Sequence, residues 1–518
     1  MAVVHNLIAN IGDDVTVLCS ALLYALSLFA ASWLYLRWRA WARDLPPAPS
    51  FFMSHWLLLK AVLTKRTASH LFFSDIAKKY GPVYGIWIGH LFVTVATDVE
   101  LCKEALLRNH ESFPNRRNIG VLAKLFETEG GIVSEIGPAW KERRRFGVSA
   151  MRLFGAGKRS LEPKINGEAN YLVQSFADYS GKPFDPSPLV LNAVSNIIAQ
   201  ISLGRRFEYT DPVFQEILGL MKDVSEVAVL DPGNVFPFLV DSFLYNDKRS
   251  KFRRLKDFIE CNVRSHRETH DVNNPRDLID MYLREIEKEG GQGKEESPMN
   301  GKAIFTESNI WRFIHDLFLA GTETTSFSLL WIILIVTLHP EIQEKVQEEI
   351  DDVIGRSRQP TTSDLLSMPY TRATISEVLR HRPVLPIYQR ETPLDRQGTF
   401  GQYTVPRNSY FLLNVHGIHH DPELFPDPDA VRPERFLSID ENGQRTYSGK
   451  GLPLLNFGLG KRACVGESMA RAEIFLFFVN LLQRFTFTIP PNDVTPDLEG
   501  VPGRIWSTPT FRLCVHTR

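Results

Sequence analysis

The stretch that decides the fold lies near the C-terminal end and reads NFGLGKRACVGESMARAEIFLFF, residues 456–478. Its single cysteine, Cys464, stands between a glycine-rich loop and an apolar pattern typical of a helix. Gly458 and Gly460 permit tight turns and the close approach of a flat group. The free N–H groups at the start of the helix and the guanidinium of Arg462 favour thiolate over thiol. The stretch therefore predicts a cysteine thiolate suited to binding a metal.

Other interpretations of this loop fit less well. A phosphate-binding loop requires GxxxxGK[ST], and GLGKRA lacks both the spacing and the hydroxyl. A nucleophilic cysteine needs a histidine base, which the sequence alone does not place. A buried inert thiol is the usual state of a lone cysteine, but the specified neighbours of Cys464 argue against it.

The composition excludes several classes of protein. The 518 residues include 59 Lys+Arg and 60 Asp+Glu, so the charge balance indicates neither nucleic-acid binding nor an acidic tail. The 5 cysteines form no CxxC pair, which favours reduced thiols over a disulfide framework or a zinc site.

An uncharged apolar segment near the N-terminus predicts a membrane anchor. Residues 15–36 would span roughly 33 Å as a helix, about one bilayer core. Aspartates precede the segment and arginines follow it, so the positive-inside rule places the rest of the chain in the cytosol. A buried core helix is the alternative, which the basic flank disfavours. We expect a lumenal N-terminus (1–14), a signal anchor (15–36), a basic and proline-rich linker (37–50) and one domain (51–518).

Apolar spacings of three and four predict a large, mainly helical domain with few strands. Residues 82–97 alternate like a hairpin, and QYTVP with SYFLLNV, within 402–415, suggests a second one. The longest helix is expected from Asn309 to Leu338, ending before Pro340.

That longest helix is apolar nearly all round, so it either crosses a membrane or lies in a large core. Arg312, His315, Asp316 and Glu323 favour the core, because charges are costly in lipid. Its middle carries AGTETT, residues 320–325, which places a carboxylate beside hydroxyls.

FGLGKRACVG resembles the cysteine-ligand loop of the cytochrome P450 haem-thiolate monooxygenases. Further family motifs follow in order: WKERR, AGTETT, EVLR and PERF. The resemblance covers essentially the whole chain after residue 50 and implies the cytochrome P450 fold, a large helical domain with small β-sheets, behind one transmembrane helix. The anchor resembles that of animal microsomal members. NPRDLIDMYL and QEKVQEEIDDVIG resemble family 2, near its fatty-acid hydroxylases.

The resemblance implies haem b as the cofactor, with Cys464 as the axial ligand of its iron. The thiolate would donate electron density that favours O–O cleavage. Planar guanidinium groups suit the two propionates. Arg390 stands one position closer to Arg380 than the family pattern has it. The implied cofactor-binding residues are Cys464, Arg462, Trp140, Arg144, Phe457, Gly458 and Arg390.

The resemblance also implies two catalytic residues on the long helix. Thr324 would hydrogen-bond dioxygen or a water, and Glu323 would help to deliver protons. Gly321 would allow local opening of the helix. The alternative for Thr324 is a hydroxyl bonded back to its own helix, which we expect the adjacent glutamate and the nearby glycine to disfavour.

Two further clusters have structural interpretations. By resemblance, Glu377, Arg380 and Arg435 would form a buried charged cluster that supports the proximal side. The stretch HGIHHDPE has histidines that could bind zinc on one helical turn, but no fourth ligand is near. Its histidines are His416, His419 and His420.

The expected function is NADPH- and O2-dependent hydroxylation of a lipophilic substrate, with a fatty acid as first candidate and steroids or xenobiotics next. No GxGxxG fingerprint follows a strand, so electrons would come from a separate NADPH–cytochrome P450 reductase. A b-type cytochrome is a second candidate donor. The domain would lie on the cytosolic face of the endoplasmic reticulum, in contact with membrane lipid. Lys141 and Arg143 are candidates to meet the reductase.

Two rival functions stay open from the sequence. One is a haem-thiolate isomerase or dehydratase that needs no reductase. Retention of Glu323 and Thr324 argues against it, because that chemistry needs no proton delivery of this kind. The other is a catalytically silent haem- or lipid-binding membrane protein. Substrate-pocket candidates are 115–126, 229–240, Leu317, Phe318, Pro386, Ile387, Tyr388 and 504–510.

Overall fold

The computed structural model of the protein describes a large part of the chain. The described residues are 29–30, 32–33, 44–63, 68–89, 91–117, 121, 125, 130–154, 161–225, 233, 237–291, 303–449 and 451–518. Apart from four residues, the predicted anchor at 15–36 lies outside them, so the anchor stays a prediction.

Helices make up most of the described chain, as the apolar spacings predict. The α-helices are α1 (Phe51–Leu63), α2 (Ser69–Tyr80), α3 (Val99–Lys103), α4 (Gly137–Phe154), α5 (Leu161–Ala177), α6 (Ser187–Ser202), α7 (Pro212–Ser225), α8 (Asn246–Thr269), α9 (Leu278–Gly291), α10 (Glu307–Leu338), α11 (Pro340–Val353), α12 (Pro369–His381), α13 (Val415–His419) and α14 (Glu467–Arg484). A π-helix (Glu104–Arg108) follows α3 directly.

The long helix α10 lies in the centre of the core. It starts two residues before the predicted Asn309 and ends at Leu338, and Pro340 begins α11 as the restricted backbone around proline predicts. Among the described helices, α10 is the one long and apolar enough to cross a bilayer, but 72% of its most apolar window is buried inside the protein. The predicted core location is therefore confirmed.

Gly321 has a packing role within α10. A Cβ at this position would come within 3.3 Å of Ile198 on α6, so the missing side chain allows α6 to lie close against α10. The helix runs uninterrupted from Glu307 to Leu338. The structure therefore shows a close helix contact at Gly321, where the sequence suggested a local opening.

The strands form one four-stranded sheet and three two-stranded ones. They are β1 (Val83–Ile88), β2 (Leu91–Ala96), β3 (Ile387–Glu391), β4 (Gly398–Phe400), β5 (Tyr403–Val405), β6 (Tyr410–Asn414), β7 (Leu437–Ile439), β8 (Arg445–Tyr447), β9 (Phe485–Thr488) and β10 (Cys514–Thr517). The first predicted hairpin is confirmed, because β1 and β2 pair antiparallel.

The second predicted hairpin is wrong. Strand β5 pairs with β4, whereas β6 pairs with β2 on one side and with β3 on the other. All five residues of β6 are buried, so this strand gains more from a central position in the four-stranded sheet than from its neighbour in sequence.

Five buried histidines lie together between α2, the end of α12 and α13. The rings of His70 and His416 are 4.7 Å apart, those of His416 and His420 are 4.0 Å apart, and His381 is 5.8 Å from His420. Burial lowers the pKa of His70 to about 3, of His381 to about 2, of His419 to about 3 and of His420 to about 4. These rings are therefore neutral in the folded protein at pH 7.

Acid should destabilise the fold through this cluster. The folded-state pKa of His70 lies below its ordinary 6.5, so its contribution to stability is present above pH 6.5 and is lost as the pH falls further. Going from pH 7 to 5 should cost up to about 2 kcal/mol for this residue. We expect His70→Phe, which keeps an aromatic ring against Trp506, to remove that part of the pH dependence in denaturant unfolding.

The control is His516→Phe on the exposed end of β10. It should leave the pH dependence as in the wild type. Equal slopes for all three proteins would contradict a neutral, buried His70.

Candidate active site

One large cavity lies between α10 and the cysteine loop. Its empty space, counted out to its mouth, is about 1690 Å³, more than the roughly 300–1,000 Å³ of an ordinary ligand pocket. The cavity therefore has room for a large flat group and a second molecule. Its walls include Cys464, Phe457, Arg462, Arg144, Arg116, Leu317, Glu323, Thr324, Tyr388, Arg504 and Ile505.

The cysteine loop is held in a tight, closed form. The backbone N–H of Cys464 donates to the carbonyl of Phe457 at 2.8 Å. Gly458 and Gly460 have φ angles of 73° and 72°, in the left-handed region that favours glycine. A Cβ on Gly460 would lie 2.1 Å from the carbonyl oxygen of Leu106. The loop therefore requires glycine here, as predicted.

The space beside the cysteine is open. A Cβ on Gly466 would meet no heavy atom within 4 Å, and Gly466 lines the cavity together with Cys464. The predicted helix after the cysteine begins at Glu467. The thiol therefore faces a cradle that the protein itself does not fill.

The thiol of Cys464 differs from the sequence expectation of a thiolate. Burial raises its pKa, and Glu467 raises it further, against the backbone N–H of Gly466 and the guanidinium groups of Arg144 and Arg116, which lower it. The desolvation of a buried anion exceeds the stabilisation by these neighbours. The loop alone therefore does not favour thiolate.

Arg462 holds the loop against other parts of the chain. Its guanidinium donates to the carbonyls of Pro114 at 3.1 Å and Glu135 at 2.7 Å, and it stacks 3.5 Å from the centroid of a Trp140 ring. The indole N–H of Trp140 donates to the carbonyl of Ile132 at 3.1 Å. Trp140 is therefore placed as a support for Arg462, where the resemblance implied a direct propionate contact.

Arg462 belongs to a group of buried guanidiniums. Burial first, and then Arg116, Arg390 and Arg144, lower the pKa of Arg462 to about 8, while Glu135 opposes this. Glu135 is itself paired with Arg143. Nη1 of Arg462 is buried without a hydrogen-bond partner.

Arg144 and Arg116 complete the positive wall. Arg144 donates to the carbonyl of Ala463 at 2.6 Å, and no carboxylate pairs with Arg144, Arg116 or Arg462 among the described residues. Buried cations of this kind require anions. The sequence analysis missed Arg116, although an arginine pair within an otherwise apolar pocket segment was a signal for it.

Arg390 lies behind the loop and outside the set of residues that line the cavity. Its guanidinium donates to the carbonyls of Gln389 at 2.8 Å, Arg462 at 3.4 Å and Leu459 at 3.5 Å. Burial, then Arg116, lowers its pKa to about 9. The structure thus places Arg390 as a brace for the cysteine loop, and its propionate contact stays a prediction.

The opposite wall carries the two residues predicted to be catalytic. Glu323 is 2% exposed, and both Glu323 and Thr324 line the cavity. The hydroxyl of Thr324 donates to the carbonyl of Ala320 at 2.6 Å. This is the bond within the helix that we expected the neighbouring residues to disfavour, and it forms because the i−4 carbonyl is the nearest acceptor.

Asp316, also on α10, fixes the segment that leads into α4. Its Oδ2 accepts from the backbone N–H groups of Ile132 and Val133, both at 2.9 Å, and its Oδ1 pairs with Arg312 at 2.9 Å. Arg312, His315 and these N–H groups hold its pKa at about 2 despite burial. A Cβ on Gly131 would lie 2.2 Å from Oδ2, so this close approach requires glycine.

The structure brings Glu377, Arg380 and Arg435 together. Arg380 donates two hydrogen bonds of 2.8 Å to the Glu377 carboxylate, and Nε of Arg435 donates a third at 3.2 Å. The side chains of Glu377 and Arg380 are 0% exposed. This buried cluster has its own counter-charge, so it carries structure and offers no anion site.

Two other sequence hypotheses can be compared with the geometry. Arg143 is 2% exposed and pairs with Glu135, so its predicted contact with a reductase is wrong. Its position on α4 turns it into the core. His416, His419 and His420 do not bring their ring nitrogens to one point among the described residues, which leaves the zinc alternative without support.

Comparison with known proteins agrees with this site. The cytochrome P450 sequence profile matches residues 46–515, and the chain belongs to the cytochrome P450 family. Cytochrome P450 2U1 of Bos taurus is 36% identical over 526 residues, with 96% of this chain and 93% of that protein covered. Cytochrome P450 2J2 of Homo sapiens is 40% identical over 453 residues, with 86% of each covered.

The protein is therefore a haem-thiolate monooxygenase whose cofactor is haem b. The residues present fit this cofactor. The thiol of Cys464 borders the cradle at Gly466, and the guanidiniums without carboxylates match the two propionates of haem in charge and geometry.

Arg116 should contribute to haem retention. We expect Arg116→Met to speed haem transfer to apomyoglobin about tenfold or more, because one charged hydrogen bond to a propionate is lost. The control is Arg145→Met on the exposed side of α4, where Arg145 is 81% exposed. A transfer rate for Arg116→Met equal to that of the control would contradict the propionate contact.

Proposed function

We propose that the enzyme inserts one oxygen atom of O2 into C–H bonds of a lipophilic substrate, with a fatty acid as first candidate. The electrons come from NADPH through a separate reductase. The observation that carries the proposal is a single cavity with Cys464 on one wall and Glu323 and Thr324 on another.

The residues of this chain divide the work between the two walls. When bound, haem supplies the activation of dioxygen at its iron. Cys464 holds the iron, and Arg116, Arg144 and Arg462 hold the propionates. Leu317 and Ile505 line the cavity with apolar surface for the substrate.

The proton steps are assigned to α10. The hydroxyl of Thr324 has one proton and two lone pairs, and its proton is used by the carbonyl of Ala320. In this state its oxygen accepts a hydrogen bond from a water in the cavity. Donation into the cavity requires rotation about χ1. Glu323, one residue earlier and buried, supplies the acid that passes protons to this water.

The domain is proposed to lie on the cytosolic face of the endoplasmic reticulum, behind the anchor at 15–36. Two exposed apolar patches support contact with lipid. The first lies on α1, where Phe52 is 60% and Trp56 is 59% exposed, and the second includes Phe238 at 68% and Phe243 at 79%.

The redox partner is proposed to bind near the cysteine loop. Lys141 and Arg145 are exposed on α4, the same helix whose Arg144 touches the carbonyl next to Cys464. A basic surface this close to the iron ligand suits an acidic electron donor. An NADPH–cytochrome P450 reductase is the first candidate and a b-type cytochrome the second.

The deciding experiment uses the full-length membrane protein. We expect the reduced wild type with carbon monoxide to give the red-shifted band of a thiolate ligand, and Cys464→Ser to lose it. Wild type reconstituted with the reductase and NADPH should hydroxylate members of a lipid panel. Turnover that does not depend on reductase would indicate the isomerase type, and no turnover on any lipid would indicate a silent binding protein.

Thr324→Ala should separate NADPH use from product formation. Without the hydroxyl, water in the cavity is held less well and protons reach oxygen along the wrong path, so hydrogen peroxide should rise and product per NADPH should fall several-fold. Thr337→Ala is the matched control, because its hydroxyl also bonds back to the helix, at Ile333, 2.7 Å away. Normal coupling in Thr324→Ala would exclude this role.

A further inference from the structure

Arg504 is a buried cation that the propionate-binding group does not explain. It lies in the C-terminal segment between α14 and β10 and lines the cavity with Asp316 and Glu323. No hydrogen bond or ion pair joins its guanidinium to another residue in the described part of the chain. Burial, and then Arg116, lowers its pKa to about 10, while Asp316 and Glu323 oppose this.

The charges that line the cavity leave one cation in excess. Five guanidiniums and two carboxylates of the described residues line it. Arg312 is paired with Asp316 at 2.9 Å. Two of the remaining cations match the two haem propionates, and one matches Glu323 if that group is counted as an anion. A single guanidinium therefore lacks an anion, and burying it unpaired is costly.

The position of Arg504 separates it from the propionate group. Arg144 and Arg462 contact the chain around the cysteine loop, through Ala463 and Glu135. The charges that act on Arg504, apart from Arg116, are Asp316, Glu323 and Arg312 of the long helix. Arg504 thus belongs to the substrate side of the cavity.

We propose that Arg504 binds the carboxylate of the substrate, so that the enzyme selects lipids with an anionic head group over their neutral derivatives. The inference rests on the proposed function and adds the chemical class of its substrate. Guanidinium and carboxylate form a bidentate pair that is strong in a dry cavity. The alkyl chain then extends along the apolar wall that includes Leu317, Leu319 and Ile505.

The test compares lauric acid with methyl laurate, in the holoenzyme with its reductase. The affinity of each is measured by equilibrium dialysis and by the spin-state change of the haem, and product is measured for each. We expect wild type to bind the acid about 10- to 100-fold more tightly than the ester. In Arg504→Met this ratio should fall towards one, and Arg504→Lys should restore part of it.

The control is Arg512→Met, which removes a positive charge from the exposed part of the same segment, where Arg512 pairs with Asp493. It should keep the wild-type ratio. Equal binding of acid and ester by wild type would overturn the inference, as would faster haem loss in Arg504→Met, which would make Arg504 a propionate ligand. The proposed function fails separately, if wild type forms product from neither compound.

Discussion

The constraint on which the site depends is positive charge buried without carboxylates to balance it. Arg116, Arg144 and Arg462 have no ion-pair partner among the described residues. Arg144 and Arg462 rest instead on main-chain carbonyls, at Ala463 and at Pro114 and Glu135. Carbonyls satisfy N–H donors but leave the net charge in place. The cavity therefore binds anions strongly, and its geometry is complete only with a doubly anionic cofactor.

The same protein buries charge in a second, opposite way. Glu377 accepts from Arg380 and Arg435, and Arg380 also donates to the carbonyl of His419 at 2.8 Å. Here each charge has its counter-charge within the fold, and nothing is left for a ligand. Such a cluster fixes geometry more than it adds stability, because desolvation offsets much of the attraction. Matched charges thus make the frame of this protein, and unmatched charges make its site.

The long helix joins these two regions to the chemistry. Asp316 anchors the segment before α4 through two backbone N–H groups, so the wall that carries Arg144 is tied to the helix that carries Glu323 and Thr324. Gly321 allows α6 to pack against the same stretch. Helix α10 therefore sets the distance between the acid groups and the cysteine loop, while the bond from Thr324 to Ala320 sets which way its hydroxyl points.

Much of this protein follows from local pattern alone. Cys464 with its glycines, the helix that begins at Glu467, the β1–β2 hairpin and the apolar core helix could all be predicted, because turn chemistry and hydrophobic periodicity act over a few residues. Tertiary structure alone decided the pairing of β6 with β2, the burial of Arg143 and the convergence of Arg116 and Arg504 on one cavity. Those outcomes depend on contacts between residues far apart in sequence, where burial and the net charge of a shared space outweigh any local preference.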